Sequence, residues 1–187
     1  LAFLPGGLVI TFQVTILSIL CAIPLGLITG LGRLSKNRVI NLIASTYVEV
    51  IRGIPLLVQI FYIYYALAKF LQVSGLTSAV IAISFCYGAY MGEVFRAGIM
   101  AVNKGQTEAA RSLGLSQGQT MMKVILPQAV RNILPALGNE FIMMLKETSL
   151  ASTFFLGDLM TSYNVVKGAT FLTLEPLTIV AIIYLCL

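Results

Sequence analysis

Histidine and tryptophan are absent from the 187 residues, and only 10% of the residues are charged. Without histidine the chain lacks the commonest metal ligand and the usual general base near neutral pH, so we predict no catalytic site and no metal site in it. Soluble domains carry about one quarter charged residues, whereas 58% of this chain is hydrophobic. The composition therefore indicates an integral membrane protein rather than a soluble enzyme.

Five apolar stretches are candidates for membrane spans, since about 20 apolar residues cross a bilayer. They cover residues 8–31, 39–69, 76–101, 120–145 and 169–187. We predict an all-α integral membrane fold with about five transmembrane helices, organised as a single domain over 1–187. The sequence starts without Met and ends inside an apolar run, so we expect both ends to be trimmed.

The second stretch is longer than a straight crossing needs at about 1.5 Å per residue. Pro55 lies near its middle, after Arg52, Gly53 and Ile54. Proline removes an amide donor and disfavours helical backbone in the residue before it. We therefore expect a break or bend at this point, or a first part that lies shallowly at the membrane interface.

Basic residues predict the orientation. Arg33, Lys36 and Arg38 lie in the first loop, and the third loop is also basic, whereas the second holds only Lys69. Cytoplasmic loops carry an excess of Lys and Arg. Loops one and three are therefore predicted to be cytoplasmic, and the start of the chain to lie outside.

The third loop predicts a short helix followed by a long one. Thr107 can cap a helix that begins at Glu108, where a carboxylate suits the positive helix end. Gly114 favours the left-handed conformation that ends a helix, so the short helix should cover about 107–114. Ser116 and Gln119 then form a capping box for the next helix.

A small apolar ridge is predicted on the short helix, because Ala109, Ala110 and Leu113 recur at helical spacing. Two interpretations of the ridge stay open at this point. The helix could seat in a groove on a partner protein, which needs such anchors. It could equally be an amphipathic loop helix that rests on lipid headgroups.

The stretch EAARSLGLSQGQTMMKVILP resembles the EAA signature of ABC-importer permeases, which is EAA, three residues, Gly, nine residues, Ile, one residue and Leu-Pro. Glu108-Ala109-Ala110, Gly114 and Leu126-Pro127 match this pattern, and Val124 replaces the Ile. Other stretches resemble the polar-amino-acid branch of the same family. They are RGIPLLVQIFYIYYAL (52–67), GAYMGEVFRAGI (88–99), LPQAVRNILPALGNEFI (126–142) and LKETSLAS (145–152).

The resemblance implies the transmembrane permease subunit of a type I ABC importer in a bacterial-type plasma (inner) membrane, which moves a polar amino acid into the cell. It implies three kinds of partner: a second permease, identical or related; cytoplasmic ABC ATPases; and an extracytoplasmic amino-acid-binding protein. The coupling helix that docks on an ATPase would comprise Glu108, Ala109, Ala110 and Gly114, with Leu113 on the same ridge.

Phosphate chemistry is predicted to reside in another chain. The sequence contains no G-x-x-x-x-G-K-[ST] phosphate loop, so we expect no cofactor here and expect ATP and Mg to be bound by the partner ATPase. An ion-driven secondary transporter is the alternative, and it predicts paired discontinuous helices in repeated halves. The echo between EVIRGI and EVFRAGI is too short to count as such a repeat.

Two acid–base pairs lie within the predicted spans at a spacing of three residues. They are Glu49 with Arg52 and Glu93 with Arg96. Ionisable groups in spans are costly and are candidates for function. These groups could be ion pairs, within one helix or between helices, that hold the helices in register. They could instead form a cytoplasmic gate.

Cargo contacts are predicted at acids nearer the outside. Asp158 has no basic neighbour within four residues, and on a helix it would share a face with Ser162 and lie near Asn164. Such an acid suits a substrate ammonium or guanidinium, which favours a basic amino acid, although it could also be a solvated loop acid. Glu140 is a further candidate, with an interhelical ion pair to Arg131 or Arg96 as the alternative.

Overall fold

The computed structural model describes residues 4–154 and 156–187, which form helices joined by short connections, with no β-strand in these two ranges. In chain order the elements are α1 (Leu4–Arg33), α2 (Arg38–Gly53), α3 (Leu56–Leu71), α4 (Gly75–Met100), α5 (Lys104–Ser112), α6 (Gln117–Thr120), a π turn (Met121–Ile125), α7 (Leu126–Glu147), a 3₁₀ segment (Thr148–Phe154), α8 (Leu159–Thr170) and α9 (Leu174–Cys186).

Two of the described helices, α1 and α4, are long and apolar enough to cross a membrane. The pair of α2 and α3 gives a third crossing if the two are counted as one span. The fourth and fifth predicted spans fall on α7, which has 22 residues but several charges, and on α9, which has 13 residues. The count of five spans therefore stays a prediction.

A helix break occurs in the second predicted span at the proline. Helix α2 ends at Gly53, and Pro55 has the extended ψ of 133° that precedes α3. The break follows from the lost amide donor of Pro55 and from the restricted backbone of the residue before it. The expectation of a break at this point is confirmed.

The chain divides into two compact units. The first contains the described residues of Leu1–Ala22, Ile54–Tyr87 and Phe141–Leu187, and the second contains Ile23–Gly53 and Gly88–Glu140. The second unit includes α2, α5 and the charged end of α4, so it holds the predicted coupling helix and both acid–base pairs.

Glycines bring α1 and α4 into close contact within the second unit. A Cβ atom on Gly30 would lie 2.7 Å from the carbonyl oxygen of Gly92, and one on Gly26 would lie 2.4 Å from Cβ of Met91. Thr29, between them on α1, donates from its hydroxyl to the carbonyl oxygen of Gly26 at 3.0 Å. Small residues spaced by four allow such close crossings of apolar helices.

Buried hydroxyl groups organise the first unit. Thr11 of α1 is fully buried, donates to the carbonyl oxygen of Gly7 at 3.0 Å, and accepts from the backbone N–H of Leu159 at 3.1 Å. An apolar cluster of Leu4, Leu159, Tyr163 and Val180 lies beside this contact. The start of α8 is therefore fixed against α1 by a hydrogen bond as well as by packing.

Candidate functional site

The predicted coupling helix is α5, and it begins earlier than the predicted start near residue 107. It starts at Lys104, and the side chain of Asn103 caps it by accepting from the backbone N–H of Gly105 at 2.8 Å. Thr107 lies inside the helix, so its assignment as the cap is wrong. Asn is at least as good a cap as Thr, and the residues between the two continue the helix.

The end of α5 has a defined geometry. Gly114 has a φ of +84°. Its N–H donates to the carbonyl oxygen of Arg111 at 3.0 Å, and the N–H of Leu115 donates to the carbonyl oxygen of Ala110 at 3.1 Å. These bonds form a Schellman motif, which needs a left-handed residue after the helix. The assignment of Gly114 as the helix terminator is confirmed.

The three residues of the predicted apolar ridge do not share one face: one is buried and two are exposed. Ala110 is 5% exposed and packs against its own chain, whereas Leu113 is 82% exposed. Ala109 and Glu108 are exposed as well. Residues 109 and 113 are four apart and lie on one helix face. The free apolar surface of α5 therefore consists of Ala109 and Leu113, and Ala110 anchors the helix.

The segment after α5 contains one element that was predicted and one that was not. Ser116 and Gln119 form the predicted capping box in both directions. A π turn then follows, in which the N–H of Leu126 bonds the carbonyl of Met121, five residues back. Pro127 comes directly afterwards and lacks an N–H for the usual four-residue bond. This proline was the available signal for an irregular turn.

A charge cluster joins three helices of the second unit. The carboxylate of Glu93, on α4, accepts hydrogen bonds from Nε and Nη2 of Arg96 at 2.9 and 2.5 Å. The same carboxylate accepts from Nη1 of Arg33, at the end of α1, at 2.5 Å. Arg33 in turn lies 3.9 Å from Glu49 of α2. Glu93 is therefore a shared acceptor for two guanidinium groups.

The two predicted acid–base pairs have different outcomes in the structure. Glu93 and Arg96 pair at a spacing of three residues on one helix. Among the described residues, the ion-pair partner of Glu49 is Arg33 rather than Arg52. Arg52 lies over the ring of Tyr90, 5.7 Å from its centroid. Arg33 was predicted only as an orientation signal, and its position at the end of an apolar run was the overlooked clue.

An open cavity of about 340 Å³ lies beside this cluster, and it is lined by Arg52, Tyr90, Glu93, Val94, Ala97, Gly98, Ala101, Asn132, Ala136 and Glu140. Its lining includes several small residues, and its polar groups include a guanidinium and two carboxylates. This volume is at the lower end of the range for small-molecule sites. The cavity combines groups of opposite charge, which is the chemistry that a zwitterion requires.

Asp158 has a structural role beyond the predicted cargo contact. It is 2% exposed and is the N-cap of α8, since its carboxylate accepts from the N–H of Met160 at 3.1 Å and from the hydroxyl of Thr161. Burial raises the pKa of the Asp158 carboxyl, and these hydrogen bonds oppose the rise. Both of these donors are uncharged, so a cargo contact of Asp158 stays a prediction.

The remaining predicted cargo residues differ in their exposure and in the unit to which they belong. Ser162 is buried, and a Cβ atom on Gly7 would lie 2.3 Å from its hydroxyl oxygen, whereas Asn164 is exposed. Glu140 belongs to the second unit and the other three residues to the first. Within residues 4–154 and 156–187, no group of three His, Cys, Asp or Glu side chains could hold a metal ion.

Comparison with known proteins finds one matching family model and relatives that are named as permease proteins. The family model of the binding-protein-dependent transport system inner membrane component matches residues 22–187. The arginine transport system permease protein ArtQ of Bacillus subtilis (strain 168) is 39% identical over 184 residues, which are 97% of this chain and 84% of that protein. The L-cystine transport system permease protein TcyB of the same organism is 46% identical over 157 residues, 83% and 67% of the two chains.

A solved structure shows the same fold. The crystal structure of an amino acid ABC transporter with histidines superposes with a TM-score of 0.94 at 43% identity, and the match covers 99% of this chain and 87% of that one.

Proposed function

Because this chain belongs to the family of binding-protein-dependent transport system inner membrane components, we propose that it is the permease subunit of an ATP-driven importer that carries a polar amino acid into the cell. The relatives named for arginine and cystine support an amino-acid cargo. The ion-driven alternative is not adopted, since the relatives are permeases of transport systems of this family.

The assembly in this proposal contains two permeases, cytoplasmic ABC ATPases and an extracytoplasmic binding protein. ATP and Mg bind to the ATPase, and this chain supplies the pathway and no cofactor. The observation that supports the division of labour is the exposed pair of Ala109 and Leu113, held on α5 by a cap at each end. A short, fixed helix with outward apolar anchors suits a groove on a partner.

Within the membrane part, the charge cluster is proposed to hold helices in register rather than to act as a gate. Arg33, Glu93 and Arg96 satisfy one another across α1 and α4, and breaking such a set would leave an uncompensated charge. The cargo is proposed to pass the open cavity, where Glu140 faces its ammonium group and Arg52 its carboxylate. Both side chains line that cavity, which supports this assignment over Asp158.

Replacing Leu113 by Ser tests the coupling role. Leu113→Ser removes the most exposed apolar anchor of α5, so we expect the partner ATPase to be lost during purification of the complex. Anchors of this kind cost about 2 kcal/mol or more when removed, which is roughly a thirtyfold loss of affinity. Stimulation of ATP hydrolysis by the loaded binding protein should fall in parallel.

The matched control is Leu172→Ser, which makes the same change at an exposed position in the connection before α9. It should leave both measurements unchanged. If Leu113→Ser retained the ATPase and the stimulation as fully as Leu172→Ser, the coupling assignment would be wrong.

A further inference from the structure

We propose that the first loop and α2 bind the headgroup of an anionic phospholipid, with Lys36 and Arg38 as the phosphate contacts. Both side chains are exposed at the start of α2. Within the part of the chain that the structure describes, neither forms an ion pair with a carboxylate, whereas Arg33 beside them pairs with Glu93. Among the described residues, these two positive charges therefore have no carboxylate within ion-pair distance.

The surroundings of the two cations form a polar recess. An open cavity of about 570 Å³ is lined by Ser35, Lys36, Arg38, Asn41, Leu42, Ser45, Thr46 and Glu49. Hydroxyl and amide groups therefore stand beside the cations. Glu49 is the opposing charge at the far end, eleven residues from Arg38, and Arg33 lies 3.9 Å from it. Phosphate oxygens accept hydrogen bonds from such donors, so a phosphate group suits this recess.

An apolar strip runs along α2 beside this recess. Leu42, Ile43 and Val50 lie three, four and eleven residues after Val39, and the exposures of the four side chains in chain order are 64%, 67%, 66% and 51%. The opposite side of the helix is buried at Ala44, Val48 and Ile51. A helix with cations at one edge and exposed aliphatic side chains next to them is typical of the boundary between headgroups and acyl chains.

Charge complementarity identifies the occupant. The first loop is on the predicted cytoplasmic side, and the cytoplasmic leaflet carries the anionic lipids that attract basic residues near a membrane. An anionic phospholipid satisfies the two cations with its phosphate and covers the aliphatic strip with its chains. A second protein chain on this face would cover the strip but would have to supply its own anion.

The absence of tryptophan makes a direct measurement possible. In Val39→Trp, the full chain carries a single tryptophan on the aliphatic strip. It is reconstituted into phosphatidylcholine vesicles that contain an equal mole fraction of either brominated phosphatidylglycerol or brominated phosphatidylcholine, and quenching of the tryptophan is compared. Each basic residue near an anionic surface adds roughly fivefold attraction, so the brominated phosphatidylglycerol should quench at least about twofold more strongly.

Adding Lys36→Gln and Arg38→Gln should equalise the two lipids while leaving the quenching by phosphatidylcholine intact, which also shows that the chain is folded. The matched control is Lys104→Gln with Lys123→Gln, and it should keep the selectivity. Both cations are exposed, Lys104 at the start of α5 and Lys123 in the π turn. Inorganic phosphate, compared with sodium chloride at equal ionic strength, should leave the selectivity unchanged.

Four results would overturn the proposal. The lipids could quench equally before the substitutions. Both double variants could lose selectivity alike, which would indicate a general surface potential. Inorganic phosphate could abolish the selectivity, which would make the recess a site for the free ion. Absence of quenching by either lipid would mean that another protein chain covers the strip. None of these readings depends on ATPase activity or on cargo.

Discussion

Two acidic side chains considered for cargo contact differ in what surrounds them. Asp158 is enclosed and serves the first turn of α8, while Glu140 lines an open cavity together with Arg52. Asn caps a helix about as well as Asp, and the donors that Asp158 accepts from, the N–H of Met160 and the hydroxyl of Thr161, are both uncharged, so an uncharged side chain suits that position. The charge of Asp158 is therefore expected to be dispensable, unlike that of Glu140.

Glu140→Gln is expected to weaken binding of the amino acid to the purified permease–ATPase complex by roughly tenfold or more, because a hydrogen bond to a charged group contributes about 1.5–3 kcal/mol. Asp158→Asn should stay within about twofold of the unchanged complex. Binding of the labelled amino acid, without the binding protein, measures both. The opposite order of effects, with both variants folded, would return the cargo contact to Asp158.

At the scale of the elements, α1 and α4 are held close by glycine. Their contact places Gly30 against a carbonyl oxygen, which cannot move away as the end of a side chain can. Gly168 in α8 offers the contrast, since a Cβ atom there would have nothing within 4 Å. The same substitution at the two positions therefore separates helix propensity from helix packing.

Gly30→Ala should lower the free energy of unfolding of the solubilised protein by about 1–3 kcal/mol, because the added methyl group overpacks the contact between α1 and α4. Gly168→Ala should leave it unchanged or raise it by up to about 1 kcal/mol, since Ala is favoured over Gly in helices. Thermal unfolding in one detergent compares the two. Equal stability of both variants would mean that the α1–α4 crossing is not tight.

Most of the helices could be predicted from the sequence because they depend on local signals. Apolar runs predict α1 and α4, Pro55 predicts the break after α2, and Ser116 with Gln119 predicts the start of α6. The start of α5 was misplaced because both Asn103 and Thr107 can cap a helix, and local chemistry does not choose between them.

Contacts between distant residues were harder to predict. The bridge from Arg33 to Glu93 spans 60 residues, and the bond from Leu159 to Thr11 spans 148. Sequence spacing predicts partners on one helix, such as Glu93 and Arg96, but not which helices meet. The capping role of Asp158 was missed for a local reason, because an acid before Leu-Met-Thr is also a helix cap, whereas its cargo role stays a prediction.

For the whole molecule, the predicted orientation can be tested with two matched cysteines. Ser74 and Ser112 are both exposed, and they lie in loops predicted on opposite sides of the membrane. Cys21, Cys86 and Cys186 would first be replaced by Ser. With a membrane-impermeant maleimide on intact cells, Ser74→Cys should be labelled and Ser112→Cys should not, because the positive-inside rule puts the basic third loop in the cytoplasm.

Breaking the cells open should expose Ser112→Cys to the reagent, which controls for its reactivity. If Ser112→Cys alone were labelled in intact cells, the orientation would be the reverse of the predicted one. Helix α5 would then lie outside the cell, where a cytoplasmic ATPase cannot reach it.

The π turn before α7 has a consequence for the angular phase of that helix. One extra residue in a helix of 3.6 residues per turn rotates everything after it by about 100°. Helix α5 packs against this turn, so any change in its winding would rotate the cavity face of α7 as well as shift it. In a permease built in this way, movement of α5 by the motor would turn Asn132 and Glu140 about the axis of α7 in addition to shifting them along it.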